Sequence, residues 1–151
     1  MDKTLVNIEK SLIEDYQVSH IGQAIECEAP SIGKIAKELS PDKATGIIEK
    51  MLMDLCELLG QDMTKQQIQT TANIIYQDYK SLNMADMKLI ISGYLKTEHY
   101  GAINANKVLT FINKYWDERL QAAAELSYQK HSEFIKPDRE KPFNFSNNEK
   151  P

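Results

Sequence analysis

SPDKATGIIEKMLMDLCELLG, residues 40–60, decides the fold, because it holds a whole helix together with its start and stop signals. Ser40 is placed to cap the orphan amides of a first turn, and Pro41 suits the first helical position, where its missing N–H is not needed. Ile47, Ile48, Met51, Leu52, Leu55, Leu58 and Leu59 then recur at helical spacing, which makes this segment the central core element. Gly60 follows as a left-handed carboxy-terminal cap.

The same period continues on both sides. Downstream, Met63-Thr64-Lys65-Gln66-Gln67-Ile68 combines capping-box spacing at Thr64 and Gln67 with staple spacing at Met63 and Ile68. That helix runs on through Ala72, Ile75 and Tyr79, and Ser81-Leu82-Asn83 reads as a turn. Asn83 is positioned to cap a helix carrying Met84, Met87, Ile90, Ile91, Tyr94 and Leu95, with Asp86 favourably near its positive end. His99-Tyr100-Gly101 breaks the pattern. Asn104 then caps a last long helix with Val108, Leu109, Ile112, Tyr115, Trp116, Leu120, Ala123 and Leu126. Upstream, Leu5, Ile8, Leu12 and Tyr16 predict a helix, Gly22 and residues 26–30 a break, and Ile32, Ile35, Ala36 and Leu39 a short helix. No β-alternating run and no repeat is visible. The expected fold is all-α, a compact bundle of five to six helices in one domain over residues 1–131, followed by a disordered, proline-rich tail over 132–151.

A chain of 151 residues with 42% hydrophobic and 26% charged residues suits one globular domain. It is long enough to bury roughly 68–70% of its unfolded surface without a metal or disulfide. The net charge of −4 disfavours a general nucleic-acid coat. The charge is uneven: residues 1–63 carry 6 basic and 12 acidic side chains, residues 64–131 carry 8 and 6, and the tail is balanced. Of the twelve aromatic residues only Tyr16 precedes residue 64. The skew marks an acidic first part and an aromatic-rich second part, both compatible with one core. Cys27 and Cys56 lie outside any Cys-x-x-Cys motif and read as reduced thiols. No apolar run approaches the ~18 residues of a membrane span, and the first residues lack a signal-peptide pattern. No membrane association and a cytoplasmic location are expected.

Catalytic signatures are missing from the sequence. His20, His99 and His131 are scattered without metal-ligand spacing. No nucleophile elbow and no glycine-rich phosphate loop occurs. Adjacent acids such as Asp117-Glu118 diverge on a helix and cannot share a proton. A non-enzymatic protein without a cofactor is expected, with catalytic, cofactor and metal residues none. Lys88 and Lys96 fall on one side of one helix, and Lys107 and Lys114 on one side of the next, with Tyr94, Tyr100 and Trp116 close in sequence. Cations interleaved with rings suit single-stranded DNA, while lysines on helix backs also serve simply as solvated surface. Met51, Met53, Met63, Met84 and Met87 either fill the core or line an adaptable groove. Phe143 and Phe145 are the apolar anchors of the tail, which is either inert or able to fold onto a partner.

Met63-Thr64, Ala85-Asp86-Met87-Lys88, Tyr100-Gly101 and the run from Tyr115 to Glu118-Arg119, with Pro30-Ser31-Ile32 before them, resemble a family of small helical proteins from phages and integrated elements of gut bacteria. The resemblance spans about residues 30–125. After Gly101 the family usually has a Tyr and an Asp, where this chain has Ile103, Asn104 and Asn106. The layout is similar to that of phage helicase loaders. The resemblance implies a replication accessory protein that binds a protein partner, a replicative helicase first, with weak binding of single-stranded DNA as a second expectation. A direct DNA-binding or packaging-associated protein and an inhibitor of a host protein are the alternatives. Tyr100, Gly101 and Arg119 are the partner-binding candidates in the body; Arg119 either bridges to an acid or stays exposed for a partner.

Overall fold

A computed structural model describes residues 17–139, with side chains through residue 133. Among these residues there are six helices and no strand: α1 (Ile21–Glu26), α2 (Ile32–Glu38), α3 (Pro41–Leu59), α4 (Lys65–Asp78), α5 (Met84–Lys96) and α6 (Ala105–Arg139). The expected helix around residues 5–16 and the tail anchors Phe143 and Phe145 lie outside the described residues. The boundary placed at residue 131 falls within α6.

The helix ends follow from side-chain chemistry. Ser31 and Ser40 accept the amides of Lys34 and Lys43, each at 3.1 Å, and so cap α2 and α3. Gly60 closes α3 at φ 67°, a left-handed conformation that costs an L-residue with a Cβ roughly 1–2 kcal/mol. Thr64 and Gln67 complete a reciprocal capping box on α4, and Asn83 and Asp86 another on α5. One element departs from the sequence reading. Gly22 was expected to break the chain, yet it lies inside α1. The helix begins there because the His20 ring accepts from the Gln23 amide and the Gln23 side chain accepts from the Ser19 amide at 2.7 Å. Ala24, fully buried, anchors the short helix to the body.

α3 is the hub, in contact with α2, α4 and α5, while α6 lies against α1, α4 and α5. The hub buries Ile47, Ile48, Met51, Leu52 and Leu55 almost completely, against Ile32, Ile75, Leu82, Met84 and Met87 from its neighbours. Each such side chain contributes about 1.5–3 kcal/mol by leaving water. Of the five methionines singled out in the sequence, Met51, Met63, Met84 and Met87 are buried and fill the core, while Met53 is half exposed. A backbone crossing ties the starts of α2 and α5: Ile32 N–H donates to Leu82 O at 2.8 Å, Gly33 N–H to Lys80 O at 2.9 Å, and Met84 N–H to Pro30 O at 3.1 Å.

Gly60→Ala adds a Cβ in open space but in a strained backbone. We expect it to lower unfolding stability by about 1–2 kcal/mol, read as a shift in the urea midpoint at unchanged slope; an unchanged midpoint would show that the α3 terminus does not need glycine.

Candidate functional site

Two groupings of polar residues stand out, one buried and one exposed. The buried one centres on Asp86, whose side chain is wholly out of solvent. Its Oδ1 accepts from the Tyr115 hydroxyl at 2.6 Å. Its Oδ2 accepts from the Asn83 amide at 2.8 Å and from Arg119 Nε at 2.9 Å. Asn83 in turn accepts the Asp86 amide through Oδ1 and donates from Nδ2 to Ala24 O, each at 2.8 Å. Burial first, and then the Asp86 charge, push the Tyr115 hydroxyl far above its ordinary range, so it remains a donor. Four side chains thus join α1, α5 and α6. The helix-start role expected of Asp86 holds, and the contacts to α6 come in addition. Arg119 takes the first of its two alternatives: it bridges to an acid, its side chain is only 13% exposed, and it is not a free partner contact.

The exposed grouping is the connection between α5 and α6. Thr97 ends α5, with its amide and hydroxyl both bonded to Gly93 O. The His99 ring stacks on Tyr94 with centroids 3.7 Å apart. His99 Nε2 lies 3.1 Å from Tyr94 O. A carbonyl only accepts, so Nε2 carries the proton. Gly101 adopts φ 81°. Lys107 Nζ reaches back from α6 to donate to Tyr100 O and Ala102 O. Ile103 is buried, and its amide donates to Gln61 Oε1 at 2.7 Å. Asn104 caps α6 by accepting from the Lys107 amide at 2.9 Å. The loop backbone is therefore fixed on both sides of Tyr100, whose side chain is 97% exposed.

Beside this loop lies a cleft of about 300 Å³. The end of α5 and the loop contribute Thr97 and His99; α6 contributes Asn106, Lys107, Thr110, Phe111 and Lys114, and no carboxylate among the described residues lines it. Its polar groups are mainly cations and neutral donors, which suit an anion. In the cavity between α1 and α6, by contrast, Lys130 lies 3.5 Å from Glu26, so its charges are matched.

Of the four lysines singled out in sequence, the fold brings Lys107 and Lys114 together in the cleft. Lys96 is exposed and Lys88 half-buried on α5, and neither lines it. Of the three rings expected nearby, Tyr94 is buried and Trp116 packs edge-on against Tyr79 at 5.6 Å, which leaves Tyr100. Sequence reasoning missed His99, Asn106, Thr110 and Phe111. The polar stripe of Asn106, Thr110 and Lys114 at spacings of four was the available signal. Cys27 and Cys56 are both free, and burial raises the Cys56 thiol away from nucleophilic thiolate. Among the described residues, no three or more His, Cys, Asp and Glu residues are grouped to hold a metal ion. No described helix is long and apolar enough to cross a membrane.

No protein-family model matches the chain, and neither the curated proteins nor the solved structures contain a match to it.

Asp86→Ala strands the Arg119 charge, the Tyr115 hydroxyl and the Asn83 amide together. We expect a loss of about 3–5 kcal/mol in urea unfolding, and coupling to Arg119→Ala in a double-mutant cycle; additive losses would show that the carboxylate and guanidinium act separately. Gly101→Ala brings a Cβ to 3.1 Å from Lys107 Nζ at a left-handed φ. It should lower stability by about 1–2 kcal/mol and raise hydrogen exchange across residues 97–104; an unaltered exchange pattern would mean that the loop needs neither the glycine nor the lysine clip.

Proposed function

We propose that this chain is a non-enzymatic accessory protein of phage or mobile-element DNA replication that works by docking on a protein partner, in the manner of a helicase loader. The observation that carries the docking is Tyr100. A large ring left almost wholly in water, on a backbone pinned by Lys107, Gly101 and Ile103, is pre-organised for contact. Tyrosine is enriched among residues that dominate binding energy, because it covers much area with few rotatable bonds. A fixed loop also avoids the ordering cost that a flexible one meets on binding. The replication setting is carried by the resemblance of residues 30–125, which includes Tyr100 and Gly101 themselves. A docking protein of this kind needs no nucleophile or cofactor of its own.

The test is a binding titration of the purified chain against the replicative helicase of its host cell, after nuclease treatment to remove any DNA tether. Tyr100→Ala should weaken the complex at least about tenfold, a loss of about 1.4 kcal/mol or more, with unchanged thermal stability. No complex with the wild-type chain would overturn the helicase reading. A complex indifferent to Tyr100→Ala would move the docking surface elsewhere.

A further inference from the structure

On α6, Lys107, Phe111 and Lys114 stand at spacings of four and three, so they share one stripe, and all three line the cleft beside the loop. Cation, ring and cation alternate along it. The two lysines are seven residues apart, which places their backbones about 10 Å apart along the helix axis. Lys114 is exposed and makes no hydrogen bond or ion pair among the described residues. Lys107 has given two of its three N–H groups to the carbonyls of Tyr100 and Ala102 and keeps one. The first turn of α6 adds the positive end of a helix dipole.

We infer that this cleft binds a short stretch of single-stranded nucleic acid, with two of its phosphates at Lys107 and Lys114 and a base against the Phe111 ring. A small inorganic anion could satisfy one lysine but leaves the ring and the second cation unused. An acidic peptide would match the cations without a flat face for the ring. A strand carries a charge and a flat π-face on every nucleotide, the combination that cationic grooves with interleaved rings recognise. That no carboxylate of the described residues lines the cleft fits this on a chain whose net charge is −4. With two cations the contact is weak and local, and it stands independently of docking through Tyr100.

Fluorescence anisotropy with a short labelled oligothymidylate tests it on the full chain. The logarithm of the binding constant should fall with the logarithm of salt concentration at a slope of about −1.4, from about −0.7 for each of two single-strand phosphate contacts. Lys114→Gln should reduce the slope to about −0.7 with unchanged melting temperature. Lys43→Glu, at an exposed site in the first turn of α3, should leave the slope unchanged. Any of four results overturns the inference: no binding at the lowest salt; a slope indifferent to Lys114→Gln; competition by polyglutamate as effective as that by unlabelled oligothymidylate; or equal competition by thymidine monophosphate at matched phosphate, which would make the ligand a free nucleotide. Helicase binding is not part of this readout, so either reading can fail alone.

Discussion

Asp86 accepts hydrogen bonds from the Asn83 amide, the Tyr115 hydroxyl and Arg119 Nε with its side chain removed from solvent. Taking a carboxylate and a guanidinium out of water costs several kcal/mol per ion, and attraction offsets that only when geometry is good and the remaining donors and acceptors are matched. Here one carboxylate meets donors from its own helix start and from α6, and Asn83 carries the connection on to the Ala24 carbonyl in α1. Close packing of the apolar side chains already resists sliding or rotation of α6 against α5. The Asp86 bonds add a directional constraint, because a shift of one residue would separate the carboxylate from both Tyr115 and Arg119. The apolar core supplies most of the driving force; these bonds select one register for the helices.

That register fixes where the α5–α6 connection can go. Gly93 lets the Phe111 ring approach so closely that a Cβ would lie 3.0 Å from the ring tip. Phe111 in turn meets Tyr94 edge-on at 5.5 Å, and His99 stacks on the same Tyr94. The loop that follows is held by Lys107 from α6 and by Gln61 from the α3–α4 connection. Burying Ile103 while leaving Tyr100 in water is therefore not a matter of looseness. The chain has a firm backbone there and still exposes its largest loop side chain. Bonds from Lys107 and Gln61 and the stacked His99 hold the backbone around Tyr100, while its ring stays in water.

Local physics was the part legible from sequence. The caps at Ser40, Thr64, Asn83 and Asn104, the left-handed Gly60 and the stripe on α3 all depend on residues within about four positions of each other, and periodicity reads such neighbours well. α1 escaped because a histidine is a rare cap and Gly22 argued for a break. The buried network escaped for a different reason. Tyr115 and Arg119 lie 29 and 33 positions from Asp86, and no local pattern states which face of one helix meets which face of another. Arg119 illustrates this: as a sequence letter it fits a bridge or a surface equally, and only the neighbour decides. The lysines show the same division. Spacing put Lys107 with Lys114 on α6, where both line the cleft, but whether Lys88 and Lys96 join that surface depended on the rotation of α5 against α6.

α6 shows how the two groupings depend on each other. Val108, Ile112, Tyr115 and Arg119 follow one inward stripe at spacings of four, three and four, and it ends in the Asp86 bonds. Lys107, Phe111 and Lys114 occupy the neighbouring stripe, each one residue before a member of the inward set. Adjacent residues on a helix differ by about 100° around its axis. Locking Tyr115 and Arg119 therefore also sets the direction in which Lys114 and Phe111 face, and the cleft inherits its shape from a network it does not touch. A change at Asp86 that leaves the helices folded but free to rotate would alter the cleft while every residue lining it stayed the same. This makes the buried carboxylate a positioning element for the surface as well as a fastening within the core.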